Sequence, residues 1–111
     1  TSHLQRRDSK MNKSNILNFL GLAMRAGKVK SGESVILTEI KKRKTSLVIL
    51  SEDASSRTTK EISQKCESYH VPLRIFGTRE ELGQALGKSS RVNIAIMDNG
   101  FAKKLLSMID E

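Results

Sequence analysis

One cysteine, Cys66, in 111 residues excludes an intramolecular disulfide and leaves nothing from which to build a thiolate metal cluster. A reducing, cytoplasmic setting is the expectation that follows. The two histidines, His3 and His70, fall at no spacing that suggests zinc, so neither metal nor cofactor is expected. Tryptophan is absent, and the four aromatics, Phe19, Tyr69, Phe76 and Phe101, each fall on an apolar stripe. That argues against a binder that stacks single-stranded bases on exposed rings. The longest uncharged stretch, Ser14 to Met24, is far short of the roughly 20 residues of a membrane span. No secretory apolar region is visible either. Acids are also scarce: 12 Asp and Glu stand against 20 Lys and Arg, a formal charge of +8. Such an excess on a small chain points to nucleic acid first and an anionic membrane surface second, with acidic or ribosomal proteins as further candidates.

What is present organises into one domain. Thr1 to Lys10 is polar and aperiodic, and residues 1–13 read as a disordered extension, left by expression or by an upstream start. Its Arg6, Arg7 and Lys10 contribute to the charge. Residues 14–111 read as a single unit. Ser14 is expected to cap a helix to about Ala26, with Ile16, Leu17, Leu20 and Met24 inward and Gly27 as its stop. Lys28 to Ser31 reads as a short strand and Leu47 to Leu50 as a strand covered on both faces. Ser55 or Ser56 caps a helix from Arg57 to about His70, ended by Val71-Pro72. Leu73 to Phe76 alternates like an edge strand; Thr78 and Glu81 form a capping box for a short helix containing Leu82, Ala85 and Leu86. Val92 to Ile96 is a second core strand, and a final helix from about Gly100 buries Phe101, Leu105, Met108 and Ile109. The alternation predicts a three-layer α-β-α sandwich around a mixed sheet of about four strands.

The stretch Lys28 to Lys44, KVKSGESVILTEIKKRK, carries the strongest functional signal. Gly32 suits a helix N-cap and Glu33 suits the positive end of the dipole. Ile36, Leu37 and Ile40 face a core, while Ser34, Thr38, Lys41 and Lys42 recur at i, i+4, i+7 and i+8 on another side. The stretch holds six basic residues (Lys28, Lys30, Lys41, Lys42, Arg43, Lys44) against two acids, Glu33 and Glu39. An anionic polymer is its natural partner; a merely solvated cationic helix end is the plainer reading of the same residues. A second basic, hydroxyl-bearing loop, Lys88-Ser89-Ser90-Arg91, precedes the last strand. If the two loops meet at one edge of the sheet, they would hold a bent phosphate backbone and read shape more than sequence.

Catalytic constellations are thin. Cys66 lies on a helical apolar stripe and reads as structural. Gly21 to Gly27 matches neither the dinucleotide nor the P-loop pattern. Asp53 and Asp98 follow core strands, where α/β proteins often place sites. The first strand, however, offers lysines and no acid, and Asp98 before Asn99-Gly100 reads as a turn residue. An enzyme binding phosphate or a small molecule there is the third-ranked reading.

Four runs carry a family resemblance: Gly21-Leu-Ala-Met-Arg-Ala-Gly-Lys-Val-Lys-Ser-Gly32, Leu47-Val-Ile-Leu-Ser-Glu-Asp-Ala-Ser55, Cys66-Glu-Ser-Tyr-His-Val-Pro72 and Glu81-Leu-Gly-Gln-Ala-Leu-Gly-Lys88. In that order they resemble the kink-turn RNA-binding ribosomal-protein family of archaeal L-seven-Ae and eukaryotic L-thirty-e, and within it the bacterial YlxQ-type, ribosomal-protein-like branch. The resemblance covers about Asn15 to Leu106. It implies an α-β-α sandwich without enzymatic activity that binds kink-turns, sharply bent duplexes with tandem sheared G·A pairs. It places the RNA surface at Gly32, Glu33, Ser34, Val35 and Thr38, and at Lys88 to Val92. Well-studied relatives carry an Asn-Glu-like or Lys-Gln-like pair and a following lysine where this chain has Ser34, Val35 and Thr38. The loop before the last strand is apolar in archaeal members and polar and basic here. Val35 accepts no hydrogen bond from a base, so phosphate contacts from Lys28, Lys30, Lys41, Lys42, Lys88 and Arg91 are expected to carry more of the affinity, with steep salt dependence. The full expected surface is Lys28, Lys30, Ser31, Gly32, Glu33, Ser34, Thr38, Lys41, Lys42, Lys88, Ser89, Ser90 and Arg91, in a monomer that binds ribosomal or leader RNA. The alternative is a protein-interaction module of the ribosome or transcription machinery with weakened RNA binding.

Overall fold

A run of four apolar residues with no polar alternation cannot face water on either side, and this chain has two strands at its centre that are covered in this way. The computed structural model describes the backbone of residues 2–110 and side chains from residue 13 to residue 110. Leu47–Leu50 (β2) and Asn93–Ile96 (β4) are buried at all four positions. They pair antiparallel, Leu47 opposite Ile96 and Leu50 opposite Asn93. Val29–Ser31 (β1) adds antiparallel to the far side of β4. Leu73–Ile75 (β3) adds parallel to β2, giving the order β1-β4-β2-β3 with β3 at an edge, as its alternating sequence predicts.

Five helices cover the two faces: α1 (Ser2–Arg25), α2 (Glu33–Lys41), α3 (Ser56–Ser68), α4 (Arg79–Ala85) and α5 (Asn99–Asp110). Side chains alternate across a strand, so each strand feeds both layers. On one face, Val29, Leu47, Ile49, Ile94 and Ile96 pack with Ile16 and Leu20 of α1, Leu82 of α4 and Leu105 of α5. On the other, Val48, Leu50 and Ala95 pack with Ile36 and Ile40 of α2 and with Ile62 and Cys66 of α3. The expected three-layer α-β-α sandwich with a mixed four-stranded sheet is the observed fold. Among the described residues, no helix is long and apolar enough to cross a membrane.

Local signals act as their chemistry predicts. The Ser55 hydroxyl accepts from the Thr58 amide at the start of α3. Thr78 and Glu81 form the reciprocal capping box of α4. Asp98 accepts from the Phe101 amide at the start of α5, the turn role expected of it. Ser14 differs. It lies inside α1, which begins at Ser2, because no proline or glycine between them interrupts the helix. The expected disordered extension, residues 1–13, falls almost wholly outside the residues whose side chains are described.

Cys66 is buried under α2, and burial pushes its thiol up to about 11 from an ordinary value of 9.0. In the unfolded chain the thiol ionises near the ordinary value, so folding stability should fall as pH rises from about 9 to about 11. Cys66→Ala should remove that part of the pH dependence. A thiol reagent at pH 8 should label the wild type only at the rate of unfolding; rapid labelling of the native protein would show that the cysteine is accessible.

Candidate nucleic-acid interface

Because β4 runs antiparallel to both β1 and β2, the segment before β4 meets the ends of those strands. The loop of residues 87–92 therefore lies beside Ser31-Gly32, where β1 turns into α2. Gly32 makes that turn at φ 104°, a left-handed value that any side chain would strain. Its amide donates to the buried Asn93 Oδ1 at 2.9 Å, fastening the start of α2 to β4. No side chain caps α2, so its first-turn amides have no side-chain acceptor. Arg91 closes the other side. Its guanidinium donates to Ser31 Oγ at 3.2 Å, to Ser89 Oγ at 3.0 Å and to the Ser90 carbonyl at 2.9 Å. A shallow cleft of about 380 Å3 opens between the two segments, floored by Gly32 and Asn93 and walled by Glu33 and Ser90. Val35, 41% exposed, follows in the first turn of α2 with its side chain beside Gly32.

The loop is held from beneath by α4. Lys88 donates its amide to the Gly83 carbonyl at 2.8 Å, and Arg91 donates its amide to the Arg79 carbonyl at 2.9 Å. Gly83 is buried where the backbone of Ser89 and Ser90 crosses it, too close for a larger residue. Arg79 is anchored in turn by Asp53, whose Oδ1 accepts the Arg79 amide and whose Oδ2 lies 3.4 Å from the guanidinium.

Of the expected surface residues, Ser31, Gly32, Glu33, Ser34, Ser89, Ser90 and Arg91 come together at this end of the sheet, with Lys88 exposed on the same loop. Their roles differ from the expectation. Glu33 turns toward α3: its carboxylate accepts from Thr58 Oγ1 at 3.2 Å, and the adjacent Glu61 carboxyl and burial raise its pKa above 4.5. Glu61 is shifted the other way, by Glu33 and by Arg57. The Thr38 hydroxyl bonds back to the Ser34 carbonyl at 2.9 Å, so its donor is spent within the helix. Lys30 pairs with Glu39 at 3.4 Å, and Glu39 is 8% exposed. Lysine here neutralises a buried acid, a structural duty the sequence did not signal. Lys28, Lys41 and Lys42 lie at the opposite end, Lys28 just before β1 and Lys41 and Lys42 where α2 ends.

Two residues escaped sequence reasoning: Gly83, which in LGQALG reads as a weak helix former, and Asn93, which reads as a polar break in a strand. Only a polar residue inside an otherwise buried strand hints at the second. Asp53 and Asp98, the third-ranked catalytic reading, follow antiparallel strands and so sit at opposite ends of the sheet.

The sequence and the fold are similar to those of known proteins. The chain is 48% identical over 92 residues to "RNA-binding protein YlxQ" of Bacillus subtilis (strain 168), a match spanning 83% of this chain and 92% of that one. A solved structure from Bacillus halodurans C, a protein with unknown function, superposes with a TM-score of 0.85 at 43% identity, covering 86% of this chain and 97% of that one. The "Giardia lamblia 15.5kD RNA binding protein" shares the fold at a TM-score of 0.78 and 21% identity, covering 90% of this chain and 88% of that one. The family description and the Bacillus subtilis relative's name are those of ribosomal and RNA-binding proteins, not of enzymes. With residues 14–106 matching its family model, the chain belongs to the Ribosomal protein L7Ae/L30e/S12e/Gadd45 family.

Proposed function

We propose that this protein binds bent, structured RNA of the kink-turn type, in the groove between the first turn of α2 and the loop of residues 87–92. The observation that carries the reading is the convergence of two polar, hydroxyl-bearing segments on an uncapped helix start, braced by Arg91 and Asn93. Uncapped amides at a helix N-terminus are ready donors for phosphate oxygens or base edges. The hydroxyls of Ser34, Ser89 and Ser90 add short donors around them, and Lys88 adds a cation on a flexible stem. Arg91 acts by positioning the loop, since its guanidinium is occupied by Ser31, Ser89 and Ser90. Val35 offers apolar contact and no hydrogen bond, so the groove favours the contour of a folded backbone over the edges of particular bases. The relatives' names support RNA as the partner class.

Titration with a kink-turn RNA and with a straightened duplex of the same composition tests the reading. The kinked RNA should bind at least about tenfold more tightly, a difference of about 1.4 kcal/mol. Affinity for both should fall steeply with salt. Equal and weak binding of the two would instead favour a protein-interaction module, a role that the exposed Val35 and the internally bonded Thr38 would suit.

A further inference from the structure

We propose that Lys28, Lys41, Lys42 and Lys44 form a second phosphate-binding surface, beyond the groove, that grips the RNA duplex flanking the bend. The inference rests on the RNA-binding reading above and extends it to the other end of the molecule.

Geometry brings these lysines together although the sequence separates Lys28 from the rest. The Lys28 carbonyl accepts from the Met97 amide at 2.8 Å, just past the end of β4. The Thr45 hydroxyl lies 3.8 Å from Met97 Sδ, on the segment that leaves α2. Met97 is thus flanked by Lys28 on one side and by the chain carrying Lys41, Lys42 and Lys44 on the other. All four lysines are exposed.

None of the four is held in an ion pair. Among the described residues, ion pairs occupy Lys13, Lys30, Arg57, Arg74 and Arg79 and none of these four. Glu39, the acid nearest along α2, is taken by Lys30, and Asp98 beyond Met97, which caps α5 through the Phe101 amide, is a single acid near four lysines. Arg43, in the middle of the run, lies over the Tyr69 ring at 5.4 Å and is drawn toward α3. Four exposed ammonium groups outside any ion pair make a cationic surface suited to an external polyanion. Lysine is depleted from protein–protein interfaces, whereas on nucleic acids it contacts phosphates.

A track along α2 joins this surface to the groove. Ser34, Thr38, Lys41 and Lys42 are exposed along the helix at i, i+4, i+7 and i+8. A rise of about 1.5 Å per residue makes the track from Ser34 to Lys42 about 12 Å long. A DNA duplex carries one negative charge per about 1.7 Å of axis, and an RNA duplex is of comparable density, so several phosphates face a track of that length. At physiological salt the screening length is about 8 Å, shorter than the track. The far lysines should therefore add little to an RNA that ends at the groove and act only on one that reaches them.

Two RNAs with the same kink test this at physiological salt, one with its flanking stem cut back to the bend and one with that stem extended by a full turn. Wild type should bind the extended RNA at least about tenfold more tightly. The variant with Lys28→Gln, Lys41→Gln, Lys42→Gln and Lys44→Gln should match wild type on the short RNA and lose the gain from extension. Its log-affinity against log-salt slope on the long RNA should flatten by about 0.9 for each phosphate that a lysine no longer neutralises. Equal loss on both RNAs, or no gain from extension in wild type, overturns the second surface while leaving the groove standing. If wild type does not distinguish the short kinked RNA from a straight one, the groove reading fails and this inference fails with it. The lysines are exposed, so an unchanged circular dichroism melt is expected for the variant.

Discussion

Gly83→Ala should cost about 1–3 kcal/mol in stability and lower affinity for kinked RNA by at least about tenfold, the first of these being the usual range for overpacking. An added Cβ would meet the Ser89 carbonyl oxygen and would lie 2.6 Å from the Ser89 carbonyl carbon and 2.8 Å from Ser90 Cα. All three atoms are backbone, so no rotamer change relieves the clash. Either α4 tilts away from the sheet, breaking the packing of Leu82 and Leu86, or the loop lifts and carries Ser89, Ser90 and Arg91 with it. In either case the Arg91–Ser31 contact that closes the groove is strained. Urea unfolding and RNA titration read the two effects separately. Native stability with native affinity would mean that the loop yields freely and that its close seating on α4 is dispensable.

Asn93→Ala attacks the other brace. Truncation removes the acceptor for the Gly32 amide at 2.9 Å and leaves a donor without a partner in a part-buried setting. Losing one partner of a fully buried hydrogen bond costs about 1–3 kcal/mol, and with Gly32 exposed the low end, about 1 kcal/mol, is expected here. The start of α2 would then be held chiefly by Ile36, Ile40 and the Glu33–Thr58 contact. The variant should lose discrimination between kinked and straight duplexes more than it loses general affinity, because the first-turn amides no longer sit at a fixed distance from the loop. A matched loss on both duplexes would show that the brace serves stability alone.

Much of the fold is legible in local chemistry. The uninterrupted run Leu47 to Leu50 can only be a strand covered on both faces. Ser55, Thr78 with Glu81, and Gly32 mark helix starts through side-chain or backbone demands that act within four residues. The site is legible only as far as those demands reach. That the two loops meet follows from one antiparallel pairing, β1 with β4, across more than 60 residues of chain, which no local pattern specifies. Lys28 and Lys30 look alike in sequence. The docking of α2 instead brings the buried Glu39 to Lys30, while Lys28, before the start of β1, stays at the far end. Glu33 reads as a dipole partner until α3 brings Thr58 and Glu61 beside it. Gly83 carries no local signal at all, since its requirement is set by the loop that crosses it.

RNA is proposed to seat between the start of α2 and the loop that precedes β4. Amide hydrogen exchange with and without a kink-turn RNA tests it most directly. Slowed exchange concentrated at residues 31–35 and 88–92, with β3 and α3 unchanged, is the predicted result. Protection that spares both segments and appears along β3 or α3 would contradict it.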